Sequence, residues 1–227
     1  MFIRIKECFY VTWEWTKTYF VLIYGVWKIL RLPAPRITFF GGARFKPNTR
    51  FATSAHHIAK YLVANKVSVI TGGGPGIMEA ANCGATEAAK AMGKEIRSMG
   101  IGVKDLPKEK GINNCVQDFV MLDYVIAIKW LLMRYSKGLV IFPGGFGTAD
   151  EMTELLTLIQ TKKINRVPII LFGNEYWKPF MDWVINSAVK EGLISESEAK
   201  LLVVTEDEAE ICSLLIKHCN ACTDENN

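Results

Sequence analysis

Three glycine-rich turns, and the carboxylates behind the last of them, are the residues of this chain whose types and spacing could handle a phosphorylated ligand. The first, Phe40-Gly41-Gly42-Ala43-Arg44, ends an apolar run and brings a guanidinium able to fork onto a phosphate or carboxylate. A Gly-Gly turn also serves any sharp chain reversal, so Gly41 and Arg44 carry little alone. The second, Thr71-Gly72-Gly73-Gly74-Pro75-Gly76, opens a helix that begins with Pro75 and Glu79. Gly73, Gly74 and Gly76 let the backbone approach a ligand closely, and the N–H groups and dipole of a helix start attract an anion. No Gly-Lys-Ser/Thr follows and the spacing is not G-x-G-x-x-G, which weakens an ATPase or nicotinamide reading. The third, Pro143-Gly144-Gly145-Phe146-Gly147-Thr148, runs into a helix bearing Asp150, Glu151 and Glu154. Gly144, Gly145 and Gly147 offer a second anion site, with Thr148 as N-cap or phosphate donor. Glu151 is read as lying in the first turn of that helix, and Asp150 and Glu154 as complements to the helix dipole.

These turns need strands behind them and helices ahead. Unbroken apolar runs place strands at Ile37–Phe40, Val67–Thr71, Ile96–Val103, Gly138–Phe142, Val167–Phe172 and Leu202–Val204, as a sheet covered on both faces requires. Helices are expected at Phe51–Asn65, Pro75–Met92, Tyr124–Tyr135, Ala149–Lys162, Tyr176–Glu191 and Asp207–Lys217, with a short one opened by Ser195-Glu196-Ser197-Glu198. The alternation gives an α/β fold, a Rossmann-like parallel sheet with helices on both faces, whose ligands bind beyond the carboxyl ends of the strands. At 227 residues one principal domain is expected: residues 1–34 an N-terminal apolar helical segment, 35–220 the nucleotide-binding domain, 221–227 a disordered tail.

Residues 1–32 are dense in aromatics, yet the run Tyr19–Trp27 is too short to cross a bilayer. The reading preferred is a helix that buries its Trp and Phe residues on the domain or on a second subunit. Contact with a membrane surface is the less favoured alternative. The net charge of +4 is spread without a basic run, which argues little for nucleic acid, and no nucleic-acid partner is expected. Six cysteines without framework spacing and no cleavable signal pattern fit reduced thiols in a cytoplasmic protein. His218, Cys219 and Cys222 are too few for a zinc site, and no metal is expected. His56 and His57 are read as helix-surface residues.

The stretch Gly72–Asn82 (GGGPGIMEAAN) together with Pro143–Glu151 (PGGFGTADE) resembles the signature of the LOG family. The resemblance runs from about Arg36 to about Lys217 and includes Phe40–Arg44 and Thr157-Leu158-Ile159-Gln160-Thr161. These are nucleoside 5′-monophosphate phosphoribohydrolases of the cytokinin-activating type, long mislabelled as lysine decarboxylases. What the resemblance implies is a Rossmann-like homodimer that hydrolyses the N-glycosidic bond of AMP or a related nucleotide, releasing free base and ribose 5-phosphate. It implies no metal or organic cofactor. Glu151 would be the catalytic carboxylate, and the Gly144–Thr148 loop, with Gly73–Gly76 near it, would hold phosphate and ribose. Family members usually carry an Arg-Lys pair on the helix before the Pro-Gly-Gly strand, and here Ile128 and Lys129 occupy those places. Arg134 is about 240° around the helix from Ile128 and points elsewhere, which leaves Lys129 as the remaining cation. The alternative function is a catalytically impaired nucleotide-binding or sensor protein of the same fold.

Overall fold

The computed structural model describes residues 2–93, 95–103 and 113–224, with side chains from residue 6 to 221 within those spans. Seven parallel strands form one sheet: β1 (Arg36–Phe40), β2 (Ser68–Thr71), β3 (Ser98–Val103), β4 (Asp118–Leu122), β5 (Leu139–Ile141), β6 (Ile169–Phe172) and β7 (Leu202–Thr205). Their order is β4-β3-β2-β1-β5-β6-β7. The chain leaves β1 in one direction and returns to its other side with β5, so the order reverses between those two strands. Side chains alternate between two buried layers. Along β5 with the residue after it, and along β6, Leu139, Ile141, Ile169 and Leu171 enter one layer, while Val140, Phe142, Ile170 and Phe172 enter the other. That double burial is why the strands read as continuous apolar runs.

Helices α1 (Phe2–Arg31), α4 (Val125–Arg134), α5 (Phe146–Gln160) and α6 (Asn174–Trp183) cover one face, and α2 (Arg50–Ala64), α3 (Ile77–Ala91) and α8 (Glu208–Asp224) the other. Helix α2 shows the mechanism: Ala55, Ile58, Ala59, Leu62 and Val63 recur at helical spacing and are fully buried, leaving polar residues outside. Helix α7 (Glu196–Ala199) begins with the capping box that Ser195 and Glu198 foretell.

Several expectations need correction. Edge strand β4 was absent from the sequence reading. Its apolar run Phe119–Leu122 is only four residues long behind Asp118, with Met121 exposed, and it pairs with β3 at the edge of the sheet. The helix expected at Tyr176–Glu191 divides into α6, with Pro179 inside it, and a π-helical stretch 184–189. Helix α8 continues past Lys217 to Asp224, so the tail expected to be disordered from 221 is helical there, and 225–227 lie outside the described residues. Cys83 and Cys115 are joined in a disulfide, against the expectation of reduced thiols. Finally, α1 does not bury its aromatics on the domain. Ile29 and Leu32 are buried and Val21, Leu22 and Val26 partly so, but Phe9, Trp13, Trp15 and Phe20 are each more than 60% exposed. Among the described residues, no helix is long and apolar enough to cross a membrane.

Candidate active site

The three turns meet where the strand order reverses, the place at which open α/β sheets bind ligands. The turn after β1 lies between the other two and is bonded to both. Gly42 N–H donates to the Pro143 carbonyl at 2.9 Å, and the Gly42 carbonyl accepts Ile77 N–H at 3.2 Å. Space is so tight that a Cβ at Gly41 would stand 2.7 Å from Ile77, and one at Gly76 would stand 2.4 Å from the Gly42 oxygen. Gly76 also has φ 72°, so a larger residue there is opposed by backbone conformation as well as by contact. Arg44 projects from this turn into solvent.

The turn after β2 is held by a buried polar network. Thr71 Oγ1 donates to Asn82 Oδ1 at 2.6 Å and accepts Gly73 N–H at 2.9 Å. Asn82 Nδ2 donates to Ser98 Oγ, and Asn113 Nδ2 to the Gly74 carbonyl and to Asn82 Oδ1. Gly73 lies beneath Phe119 of β4, and Gly73 and Gly74 are buried. The N–H groups of Gly73 and Ile77 are thus spent on the protein itself. This turn serves as a rigid wall, with Glu79 half-buried in the first turn of α3.

The turn after β5 is the open one. Gly145 and Gly147 are exposed, and a Cβ on either would meet nothing within 4 Å. Helix α5 starts earlier than expected, with Gly145 as its N-cap, so Thr148 is its third residue and not the cap, and Glu151 falls in the second turn. The first-turn N–H groups of such a start have no intrahelical carbonyl and face the open turn. Gly144 abuts Thr148 Oγ1, and its carbonyl accepts the Tyr176 hydroxyl. Tyr176 was not singled out from the sequence, since no motif marks a residue that reaches in from α6.

Behind this turn lies the electrostatic centre. Glu151 Oε2 is buried without a hydrogen-bond partner. Loss of solvent pushes its pKa up to about 7; Lys129 pulls it down and Glu154 and Asp150 push it up, a net that leaves the burial cost dominant. Lys129, 8% exposed on α4, donates to Asp150 at 2.6 Å and to Glu154 at 2.8 Å. Burial alone would lower its pKa, but those two hydrogen bonds and the charges of Glu151 and Glu154 hold it above the ordinary lysine value. Asp150 and Glu154 are therefore partners of Lys129, which corrects their reading as dipole complements. Lys129 acts on Glu151 by charge and not by a bond. Ile128, at the place of the family arginine, is 7% exposed and packed into the core, and Arg134 is exposed.

A groove of about 360 Å³ lies beside Gly76, lined among others by Phe45, Thr53, His56, Glu79 and Cys83. Its lining includes neither Glu151 nor the turn after β5. His56 points there while pairing with Glu87 at 3.2 Å; His57 is exposed and pairs with Glu208. The spacing of Ala52, Thr53 and His56 on one face of α2 was the available signal for this wall. Among the described residues no group of His, Cys, Asp and Glu could hold a metal ion. Cys219 is buried in the core, and the side chain of Cys222 is outside the described residues.

Comparison with known proteins adds the family. The chain is 25% identical over 170 residues to the pyrimidine/purine nucleotide 5′-monophosphate nucleosidase of Escherichia coli K12; the match covers 72% of this chain but only 36% of that protein. It is 27% identical over 169 residues to a probable cytokinin riboside 5′-monophosphate phosphoribohydrolase of Oryza sativa subsp. japonica, covering 74% and 77% of the two chains. Among solved structures, the molybdenum cofactor carrier protein of Chlamydomonas reinhardtii superposes with a TM-score of 0.55 at 24% identity, over 82% of this chain and 98% of that one. The molybdenum cofactor binding protein of Rippkaea orientalis does so with 0.55 at 19%, over 82% and 96%; both share the fold. The family profile described as "Possible lysine decarboxylase" matches residues 78–215, from the helix behind the second glycine turn into the first half of α8, and the chain belongs to that family, the LOG family.

Proposed function

We propose that the chain hydrolyses the N-glycosidic bond of a nucleoside 5′-monophosphate, AMP or a close relative, to free base and ribose 5-phosphate. The observation that carries this is Glu151: a buried carboxyl with an unpartnered oxygen, directly behind the open helix start of α5. In this reading the first-turn N–H groups of α5 and Thr148 take the phosphate, with Gly144, Gly145 and Gly147 admitting it and Gly41, Arg44, Gly73, Gly74, Gly76 and Glu79 bounding the site. Breaking the bond leaves positive charge at the anomeric carbon as the base departs. An ionised Glu151 is costly in the empty site, and that cost falls when the charge develops, which is stabilisation specific to the transition state. The same carboxylate can take a proton from the attacking water, whose hydroxyl ends on the anomeric carbon, and that proton then passes from Glu151, directly or through solvent, to the nitrogen of the departing base. Names of the Escherichia coli and rice relatives support the substrate class. Decarboxylation of lysine is disfavoured, since a Schiff base needs a neutral amine and two carboxylates keep Lys129 charged.

A second reading, binding without turnover, is favoured by Ile128, which places an apolar side chain where the family has its arginine. Thermal stabilisation tests the phosphate-centred account common to both. AMP should raise the melting temperature and adenosine should not; equal shifts would mean that phosphate contributes no binding energy. A cytoplasmic location belongs to the same proposal.

A further inference from the structure

Helix α1 has two unlike faces. Gly25 and Ile29 lie against the domain, with a Cβ at Gly25 set to meet Leu131 at 2.8 Å. Lys28 pairs with Asp118, and Tyr124 donates to Glu14 at 3.0 Å, so the inward face is fixed along much of its length. On the outward face Phe9, Trp13, Thr16, Phe20, Ile23, Trp27 and Leu30 follow one another at alternating spacings of four and three. Phe9 is 78% exposed, Phe20 64% and Trp13 61%. An alternation of four and three is the spacing of a seam that packs against another helix.

We infer that this seam pairs, antiparallel and about a two-fold axis, with the same seam on a second copy of the chain. Area is the first argument. Taking the observed exposures and ~150–250 Å² per aromatic side chain, the seam with Tyr24 offers roughly 800 Å², about what each partner contributes to a stable interface. Fit is the second. In an antiparallel register centred between Phe20 and Ile23, small Thr16 lies opposite Trp27 of the partner subunit and Trp13 opposite Leu30 of the partner subunit. Each aromatic of the seam's centre then faces a smaller side chain, as close packing demands. A parallel pairing would set Trp13, Phe20 and Trp27 each against its own copy and leave a gap at the Thr16 layer. The flanking positions bring no acidic side chain and no like-charged pair: Lys17 falls opposite Tyr24, and Arg31, which lies over its own Trp27, opposite Tyr10. An isologous contact of this kind closes on itself and makes a dimer rather than a fibre.

Light scattering or sedimentation on the full chain tests it. Phe20→Glu/Ile23→Glu alters only side chains that face solvent in the single chain, so the fold should persist while the assembly mass falls by half. A covalent arm fixes the register: in a Cys8→Ser background, Thr16→Cys/Trp27→Cys should give an inter-chain disulfide dimer under mild oxidation. Thr16→Cys alone should not, because the two copies of residue 16 would be about 16 Å apart along the axis. A wild-type monomer, or a mass unchanged by the double glutamate variant, overturns the proposal. So does cross-linking through Thr16→Cys alone, which marks a parallel pair. Co-sedimentation of a monomeric chain with phosphatidylserine–phosphatidylcholine vesicles, lost in the glutamate variant, would assign the face to a membrane surface instead.

Discussion

Glu151→Gln is expected to abolish turnover and raise stability together, with a gain that depends on pH. In the unfolded chain the carboxyl has its ordinary pKa of 4.5, and in the folded protein burial lifts it to about 7. The protonated form is thus favoured by folding. Stability from this source is fully present below pH 4.5 and is lost as pH climbs through 7, because the unfolded chain gives up its proton first. The difference, at 1.36 kcal/mol per unit, comes to about 3 kcal/mol. That is a ceiling, since Glu151 retains some exposure and the amide must also lose water. For a chain of this size it corresponds to a rise of ~5–10 °C in melting temperature. The assay is a pair of melting curves for both proteins at pH 5 and pH 8, with AMP turnover measured beside them. The variant should match wild type near pH 5, exceed it at pH 8, and turn over at least ~100-fold more slowly. An equal offset at both pH values, or a variant less stable at pH 8, would refute the claim that Glu151 is held in a desolvated, costly state.

Lys129→Met removes the attraction that lowers the Glu151 pKa, so the rise of turnover with pH should move to higher pH, and a profile that stays in place would contradict that coupling. Ile128→Arg inserts a charge into the packed face of α4 and should destabilise the fold by about 2–5 kcal/mol. A stable variant with tenfold faster turnover would show instead that position 128 borders the substrate. Cys115→Ser opens a link between residues 32 apart in sequence and should cost about 3–4 kcal/mol on chain-entropy grounds, with wild type in dithiothreitol falling to the same melting temperature; no change in either would contradict it.

The two faces of the sheet were legible because double burial writes itself as unbroken apolar runs, and the turns because glycine crowding has few other uses. Edge strand β4 was not, since its apolar run Phe119–Leu122 is short and follows Asp118, and with one neighbouring strand it buries only part of that run. Glu151 was legible as a residue, but its setting was not: the helix start shifted by a few residues, and the grip of Asp150 and Glu154 on Lys129 joins α5 to α4 across positions 21 and 25 apart. The spending of Gly73 N–H on Thr71 was also hidden, because it depends on Asn82 and Asn113 arriving from elsewhere in the chain. Helix α1 was recognised as apolar, while the division of its aromatics between two faces appears only once the domain takes one of them.

The central claim, that Glu151 drives cleavage of a nucleotide bound at the start of α5, is tested most directly by incubating the full chain with AMP and separating the products. Free adenine and ribose 5-phosphate should form in equal amounts with wild type and be absent with Glu151→Gln, while both proteins bind AMP. Binding of AMP by wild type without any release of adenine would contradict the claim and assign the site to nucleotide binding alone.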